Sequence, residues 1–175
     1  MEKYFLYLFL LFCLIECRSQ NTNLKFENFE FESIFGGQKG DKSNVYCLLG
    51  KGFFRTPSSE NTDELINSWI LNHKKIKIIL VSSLIDDNNG NINYCWLEDE
   101  YGNTINEFLI KNGCFPGGTM MRPKTLKEEP NDYMSIDESK IKVYIDSKKY
   151  EEFIQKIKKA EQFASDNKLG IWNED

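Results

Sequence analysis

Residues 111–123 read Lys-Asn-Gly-Cys-Phe-Pro-Gly-Gly-Thr-Met-Met-Arg-Pro, and residues 168–172 read Lys-Leu-Gly-Ile-Trp. The first stretch predicts the end of a short helix, a glycine-bearing connection and a basic residue before proline. The second stretch closes a long amphipathic helix with a tryptophan. The order of these features suggests a fold, and that fold limits the functions that the chain can be expected to have.

The short helix is predicted over Thr104 to Asn112. Thr104 and Glu107 have the spacing of a capping box, and Gly113 supplies a residue that tolerates the left-handed conformation after the last turn. The long helix begins at Asp146 or Ser147, since either side chain can cap it. Its apolar face is predicted from six positions at helical spacing: Tyr150, Phe153, Ile154, Ile157, Ala160 and Ala164.

The rest of the chain predicts short strands and one more helix. Glycine- and asparagine-rich segments indicate turns at 36–41 and 86–91, the second of them a hairpin turn. A helix is predicted over Asn61 to Lys74, with Asn61 and Glu64 as a capping box. Apolar runs indicate strands over Leu24 to Phe35 (one strand or a pair), Val45 to Leu49, Ile76 to Val81, Ile92 to Leu97 and Lys140 to Asp146. This order is an α+β layout with mostly antiparallel strands, and it fits a small barrel with helices packed outside it.

The ordered set resembles the staphylococcal nuclease (thermonuclease) family. That family carries Asn-Glu-x-Leu-x-x-x-Gly on a short helix, followed ten residues later by a basic residue and proline; here residues 106–113 lead to Arg122-Pro123 with the same spacing. The family's last helix has an alanine face and closes with Leu-x-Ile-Trp, as residues 160–172 do here. The similarity covers about Thr62 to Asp175, less an apparent insertion at 124–147. It implies a five-stranded OB-type β-barrel with about three helices, as a single domain over residues 24–175.

The resemblance also implies calcium-assisted cleavage of nucleic-acid phosphodiesters, with two aspartates on the metal, a glutamate acting on water and two arginines on phosphate. The chain departs from these motifs. Asp41 offers one carboxylate where the family has two around a glycine, and Arg55 and Ser58 replace an aspartate and a glutamate beside Thr-Pro. An arginine at that place repels calcium. The family's first catalytic arginine has no counterpart in this chain. At the position of the second, the chain has Asn-Gly-Asn at residues 89–91.

Two sets of residues remain as candidates for a site. Four basic side chains on loops near glycine or proline predict an anion-binding mouth. The small residues 117–119 would let a ligand approach the backbone closely there. These phosphate-binding candidates are Lys51, Arg55, Arg122 and Lys124. The alternative is ordinary solvated charge. For a working hydrolase, the catalytic candidates are Asp41 and Glu60 around a metal, with Arg55 and Arg122 on phosphate.

The first residues predict export. Lys3 precedes the short apolar run Tyr4 to Ile15, which is the pattern of a signal peptide. Cleavage before Cys17 would remove a lipoprotein signal over 1–16 and leave a lipidated cysteine, whereas cleavage after Ser19 would remove residues 1–19. The product is then periplasmic, anchored in a membrane through that lipid alone, or secreted.

Charge and cysteine content narrow the partners further. The 175 residues carry a net charge of −5, which disfavours sequence-blind binding to phosphate backbones but is compatible with a local basic groove.

Three cysteines would remain after export: Cys47, Cys95 and Cys114. Either two of them form a disulfide bond, with the pair undetermined, or they are buried thiols. The single histidine, His73, argues against a zinc site, and its place near a helix end predicts that it partners the helix C-terminus.

Three functions fit these observations. The first is an exported nuclease-fold module with a lost or diverged catalytic centre, a monomer without a cofactor that binds single-stranded nucleic acid or another anionic ligand near Arg55 and Arg122. The second is a thermonuclease-like phosphodiesterase with relocated residues, which would need calcium. The third is a non-catalytic envelope protein that uses the fold for partner contacts.

Overall fold

A computed structural model of the chain describes residues 24–32, 34–48, 57–85, 90–120 and 140–173. Within those ranges the architecture is α+β, with three α-helices and six strands. The helices are α1 (Thr62–Asn72), α2 (Ile105–Lys111) and α3 (Ser147–Asp166). The strands are β1 (Phe29–Glu32), β2 (Phe35–Gln38), β3 (Asn44–Cys47), β4 (Lys77–Leu84), β5 (Asn91–Glu98) and β6 (Ile141–Val143). No helix in these ranges is long and apolar enough to cross a membrane.

The strands form one mixed, open sheet in the order β1-β2-β3-β5-β4-β6. All neighbours are antiparallel except β3 and β5, which are parallel. An isolated bridge between Lys25 and Lys77 joins the segment before β1 to the start of β4. The five-stranded closed barrel implied by the resemblance is therefore not confirmed. The extra strand β6 pairs with Ser82 to Leu84, so it occupies part of the β4 edge that closure would use.

The turn predicted at 36–41 is wrong in its first half. The strand-pair interpretation of the N-terminal segment is confirmed, but Gly36 and Gly37 lie within β2, and the turn falls at Lys39 and Gly40. The ring of Phe31 lies directly over Gly36, so an interstrand contact keeps this glycine in the strand. The hairpin between β4 and β5 is confirmed by the pairing of their residues, although 86–89 lie outside the described ranges.

All three helices begin where the sequence predicts, and two of the three predicted side-chain caps form. The Thr104 side chain accepts a hydrogen bond from the Glu107 amide at 3.1 Å, and Asp146 accepts one from the Lys149 amide at 2.9 Å. The capping box at Asn61 is wrong, because its side chain makes no bond to the α1 backbone. Its Oδ1 instead accepts the Ser59 hydroxyl at 2.8 Å.

The core lies between the sheet and the helices. All six apolar positions predicted for the long helix are buried in α3. Phe153 of α3 stacks on Trp96 of β5, with ring centroids 4.2 Å apart and planes 18° from parallel. This stacking places α3 across the β5 face that carries Trp96, and it adds ring-to-ring attraction to the burial of apolar area.

The end of α2 contacts the C-terminal segment at residues 169–172. Gly113 follows α2 with a φ of +70°, and its carbonyl accepts a hydrogen bond from the Ile171 amide at 2.9 Å. Asn106, inside α2, donates from Nδ2 to the carbonyl of Leu48, just past β3, and its Nδ2 lies 3.5 Å from the Cys95 carbonyl of β5. The short helix therefore joins the parallel strand pair to the C-terminal segment.

Candidate functional site

Of the residues predicted to form a site, Asp41 and Glu60 lie within the described ranges. Lys51, Arg55, Arg122, Lys124 and Cys17 lie outside them, as do the predicted signal segment and most of the predicted insertion at 124–147. Asp41 lies between β2 and β3, whereas Glu60 lies in the turn before α1. The two carboxylates thus belong to different elements, and the proposed basic partners of both remain predictions.

Asp41 belongs to a chain of polar side chains that crosses three strands, called here the amide network: Asp41, Asn44, Asn91, Asn93 and Ser83. Asn44 donates from Nδ2 to Asp41 Oδ2 at 2.7 Å, and its own Oδ1 accepts from Asn91 Nδ2 at 3.1 Å and from Asn93 Nδ2 at 3.3 Å. Ser83 donates its hydroxyl to Asn93 Oδ1. Because β3 and β5 are parallel and in register, Asn44 lies opposite Asn91.

The exposure of the side chains in the amide network falls from the surface to the core. Asp41 is partly exposed, whereas Asn93 and Ser83 are buried, at 5% and 3% exposure. Hydrogen bonds from Asn44 and from the Ser43 amide lower the pKa of the Asp41 carboxyl, so this group is an ionised acceptor at neutral pH. A buried amide needs hydrogen-bond partners, and the buried Asn93 side chain has them in Asn44 and Ser83.

Tyr46 lies beside the network, opposite Asn93 on β5. Burial raises the pKa of its phenol, and the negative charge of Asp41 raises it further. The phenol therefore stays protonated and offers a hydrogen-bond donor. With neutral amides, a hydroxyl and a single carboxylate, this corner can bind a ligand through hydrogen bonds, but it does not carry the paired acid and base that hydrolysis of a phosphate ester uses.

The amide network by itself does not fit a calcium site. Calcium takes six to eight oxygen ligands, with several from carboxylates. Asp41 is the sole carboxylate of the amide network, and its two oxygens already accept bonds from Ser43 and Asn44. Within the described ranges, no group of three or more His, Cys, Asp and Glu side chains could hold a metal ion.

Part of the predicted anion-binding mouth binds the chain's own carboxylate. The Gly117 amide donates to Glu161 Oε1 of α3 at 2.7 Å. The Thr119 hydroxyl donates to the Pro116 carbonyl at 2.8 Å. The bond from Gly117 fastens the connection after α2 onto α3, and the bond from Thr119 lies within that connection. Both donors therefore have partners inside the chain, and the expected close approach of a ligand at residues 117–119 remains a prediction.

The three cysteines of the described ranges are buried thiols, the second of the two alternatives left open by the sequence. No disulfide bond joins Cys47, Cys95 and Cys114 to one another, and each is at most 4% exposed. Burial raises the pKa of the Cys95 and Cys114 thiols, so both are protonated and unreactive at neutral pH.

Sequence reasoning missed four members of the amide network, although a signal was present. Strand periodicity puts Asn93 on the same face as Cys95 and Leu97, both buried. A polar residue on an otherwise apolar face implies a buried partner. The partners could not be read from the sequence, because Asn44 is far from Asn93 along the chain. Asn91 was noted only as the residue at the place of a family arginine.

Comparison with known proteins adds no assignment. No family model matches the chain, and no curated protein matches it.

Proposed function

We propose that this chain is an exported binding module on a nuclease-like fold, with a catalytic centre that has been lost or has diverged. The observation that carries the proposal is the pairing of Asp41, Asn44 and Asn91. Asn91 occupies the segment where the resembling family has its second catalytic arginine, and its amide bonds to Asn44, which bonds to the candidate carboxylate. Neutral amides thus stand where phosphate-ester cleavage would require fixed positive charge.

An OB-type barrel is part of this proposal. The strand order β1-β2-β3-β5-β4, the parallel pairing of β3 with β5, and the Lys25–Lys77 bridge toward closure support it. The contact of Gly113 with the closing segment supports the nuclease-like arrangement of the helices. The export signal, with lipidation at Cys17 as one of its two forms, completes the proposal from the sequence.

The proposed ligand is single-stranded nucleic acid or another anionic polymer. The supporting features are the basic loop residues Lys51, Arg55, Arg122 and Lys124, together with the neutral donors of the amide network and Tyr46. Since the whole chain is acidic, binding would depend on that local group of cations, and its affinity would fall steeply with added salt.

A metal-dependent phosphodiesterase is the second candidate, and one observation favours it. The Asp41 side chain is partly exposed and its carboxylate is ionised, as a metal ligand must be. In this reading Glu60 would complete the metal site, and Arg55 and Arg122 would stabilise the charge on phosphate.

The experiment offers the purified chain single- and double-stranded DNA of one sequence, first with calcium and then with magnesium. We expect binding of the single strand without cleavage, weakened by salt and by Arg55→Ala or Arg122→Ala. The matched control is Lys158→Ala, which removes an exposed cation on α3 and should leave binding unchanged. Cleavage that both Asp41→Asn and Arg55→Ala abolish would establish the hydrolase instead. Failure to bind either DNA or a polyanion such as heparin would refute both candidates.

A further inference from the structure

One side of α3 carries exposed residues at seven-residue intervals: Lys149, Lys156 and Phe163. Seven residues make about two helical turns, so these side chains leave the helix on the same side, about 10 Å apart along its axis. Lys159 lies three residues after Lys156 and four before Phe163, which places it on that side as well. These four residues, together with Lys111 of α2, are called here the lysine row.

Two lysines of the row are held by neighbouring elements. The Nζ of Lys149 lies 5.9 Å from the ring centroid of Trp96 in β5. Lys156 donates to the carbonyl of Gly102, in the turn between β5 and α2, at 3.2 Å. Because an ammonium group has three N–H donors, both lysines keep donors for a ligand. These contacts already restrict the two side chains, so less freedom is lost when a ligand binds.

The aromatic member of the row has a cation beside it. Lys111, the last residue of α2, has its Nζ 5.0 Å from the ring centroid of Phe163. Phe163 is nevertheless 45% exposed, although most large apolar side chains of α3 are buried. An exposed ring next to an ammonium group offers stacking and charge at one place, which is the combination that binds nucleotides of a single strand.

The row is a local positive surface. None of its four lysines forms an ion pair with a carboxylate of the described residues. The acids on the same side of α3 are Glu152, between the first two lysines, and Asp166, whose Oδ1 already accepts a hydrogen bond from Gln162 at 2.7 Å. Four ammonium groups therefore outnumber two carboxylates here, on a chain whose net charge is −5.

We propose that the lysine row binds single-stranded nucleic acid, with its ammonium groups on phosphates and the Phe163 ring stacked on a base. The ligand class rests on the proposed function, but the surface uses none of the predicted loop cations Lys51, Arg55, Arg122 and Lys124. Cations at repeated intervals match the repeated charges of a phosphate backbone, and lysines bind phosphate without reading sequence. The exposed ring adds stacking that a polyanion without bases cannot use.

The test measures binding of the full purified chain to labelled oligothymidylate, and to heparin as a polyanion without bases, over a range of salt concentrations. We expect Lys149→Gln with Lys156→Gln to weaken the binding of both polymers. For the oligonucleotide, the slope of log affinity against log salt should fall by about 0.7 for each lysine removed. The matched control is Lys158→Gln, which removes an exposed lysine two residues from Lys156 on another side of α3 and should change neither quantity.

Phe163→Leu separates stacking from charge, since it keeps an apolar side chain but removes the ring. We expect the affinity for the oligonucleotide to fall about fivefold or more, with the affinity for heparin unchanged. An equal loss for both polymers, or no loss for the oligonucleotide, would overturn the stacking of a base on Phe163.

Glu152→Gln removes the carboxylate between two lysines of the row, and we expect it to tighten the binding of both polymers. Damage to the fold does not produce such a gain, so this exposed site decides the matter if another variant does not fold. An affinity that does not rise would refute the row. If the wild type binds DNA and the lysine variants bind equally well, the row is refuted while the proposed function stands. If the wild type binds neither polymer, both are refuted.

Discussion

Replacement of Gly113 by alanine tests how the C-terminal segment docks on α2. The backbone there has a φ of +70°, and an alanine Cβ would lie 2.0 Å from the carbonyl oxygen of Leu169 and 2.5 Å from its carbonyl carbon. No real Cβ contact is that short, so residues 169–171 would have to move. Their movement would break the bond from the Ile171 amide to the Gly113 carbonyl.

The expected cost follows from three contributions. The left-handed conformation costs alanine about 1–2 kcal/mol, and the lost hydrogen bond costs about 1 kcal/mol. Displacing the half-buried side chains of Ile171 and Trp172 adds about 1–2 kcal/mol. Alanine stiffens the unfolded chain and returns about 0.4–1 kcal/mol. The net loss of unfolding free energy for Gly113→Ala is therefore about 2–5 kcal/mol.

Gly102→Ala is the matched control. Its φ is +80°, but a Cβ at this position would meet nothing within 4 Å, so it carries the conformational cost without the clash. We expect a loss of about 0–1.6 kcal/mol for this variant. Urea denaturation followed by circular dichroism gives both values, provided that the m-values agree with that of the wild type. If Gly113→Ala cost no more than Gly102→Ala, the close contact between the two chain stretches would not be what requires a glycine.

Three further outcomes are expected. Ile157→Ala, at a fully buried position of α3, should lower the unfolding free energy by about 2–5 kcal/mol, whereas Lys158→Ala on the exposed side should stay within about 0.5 kcal/mol in the same urea assay. Because burial raises the pKa of Asp99 less than the hydrogen bonds from Asn103 and Tyr101 lower it, the Asp99 carboxylate stabilises the fold above the unfolded-state pKa of about 3.9, and this stabilisation is lost as pH falls through the folded-state pKa. The thermal midpoint of the wild type should therefore exceed that of Asp99→Asn by a margin that shrinks between about pH 6 and about pH 3. A margin that grows on acidification would contradict the lowered pKa. Cys95 and Cys114 should react with a thiol reagent only after denaturation, and peptide mapping that finds either one labelled in the folded chain would contradict their burial.

Local patterns in the sequence were sufficient for the elements whose stabilising contacts are themselves local. The six apolar positions of α3 recur at helical spacing, and all six are buried. The caps at Thr104 and Asp146 act on residues three positions away, so the chain carries both partners within one turn. The cap at Asn61 failed because Ser59, two residues upstream, binds the Asn61 side chain in place of the helix backbone.

Only the tertiary structure decided which strands are neighbours and therefore which polar groups meet. Asn44 and Asn91 share a hydrogen bond because β3 and β5 are parallel and in register, and periodicity within either strand carries no information about that pairing. His73 and Asp99 likewise come from separate elements and meet where α1 ends against the turn after β5. The sequence by itself determined the helices, the hairpin and the buried faces, since these depend on neighbours three or four residues away or directly across a turn. Strand order, the position of β6 on the β4 edge and the composition of the amide network depend on contacts between distant segments, which exist only once the chain has folded.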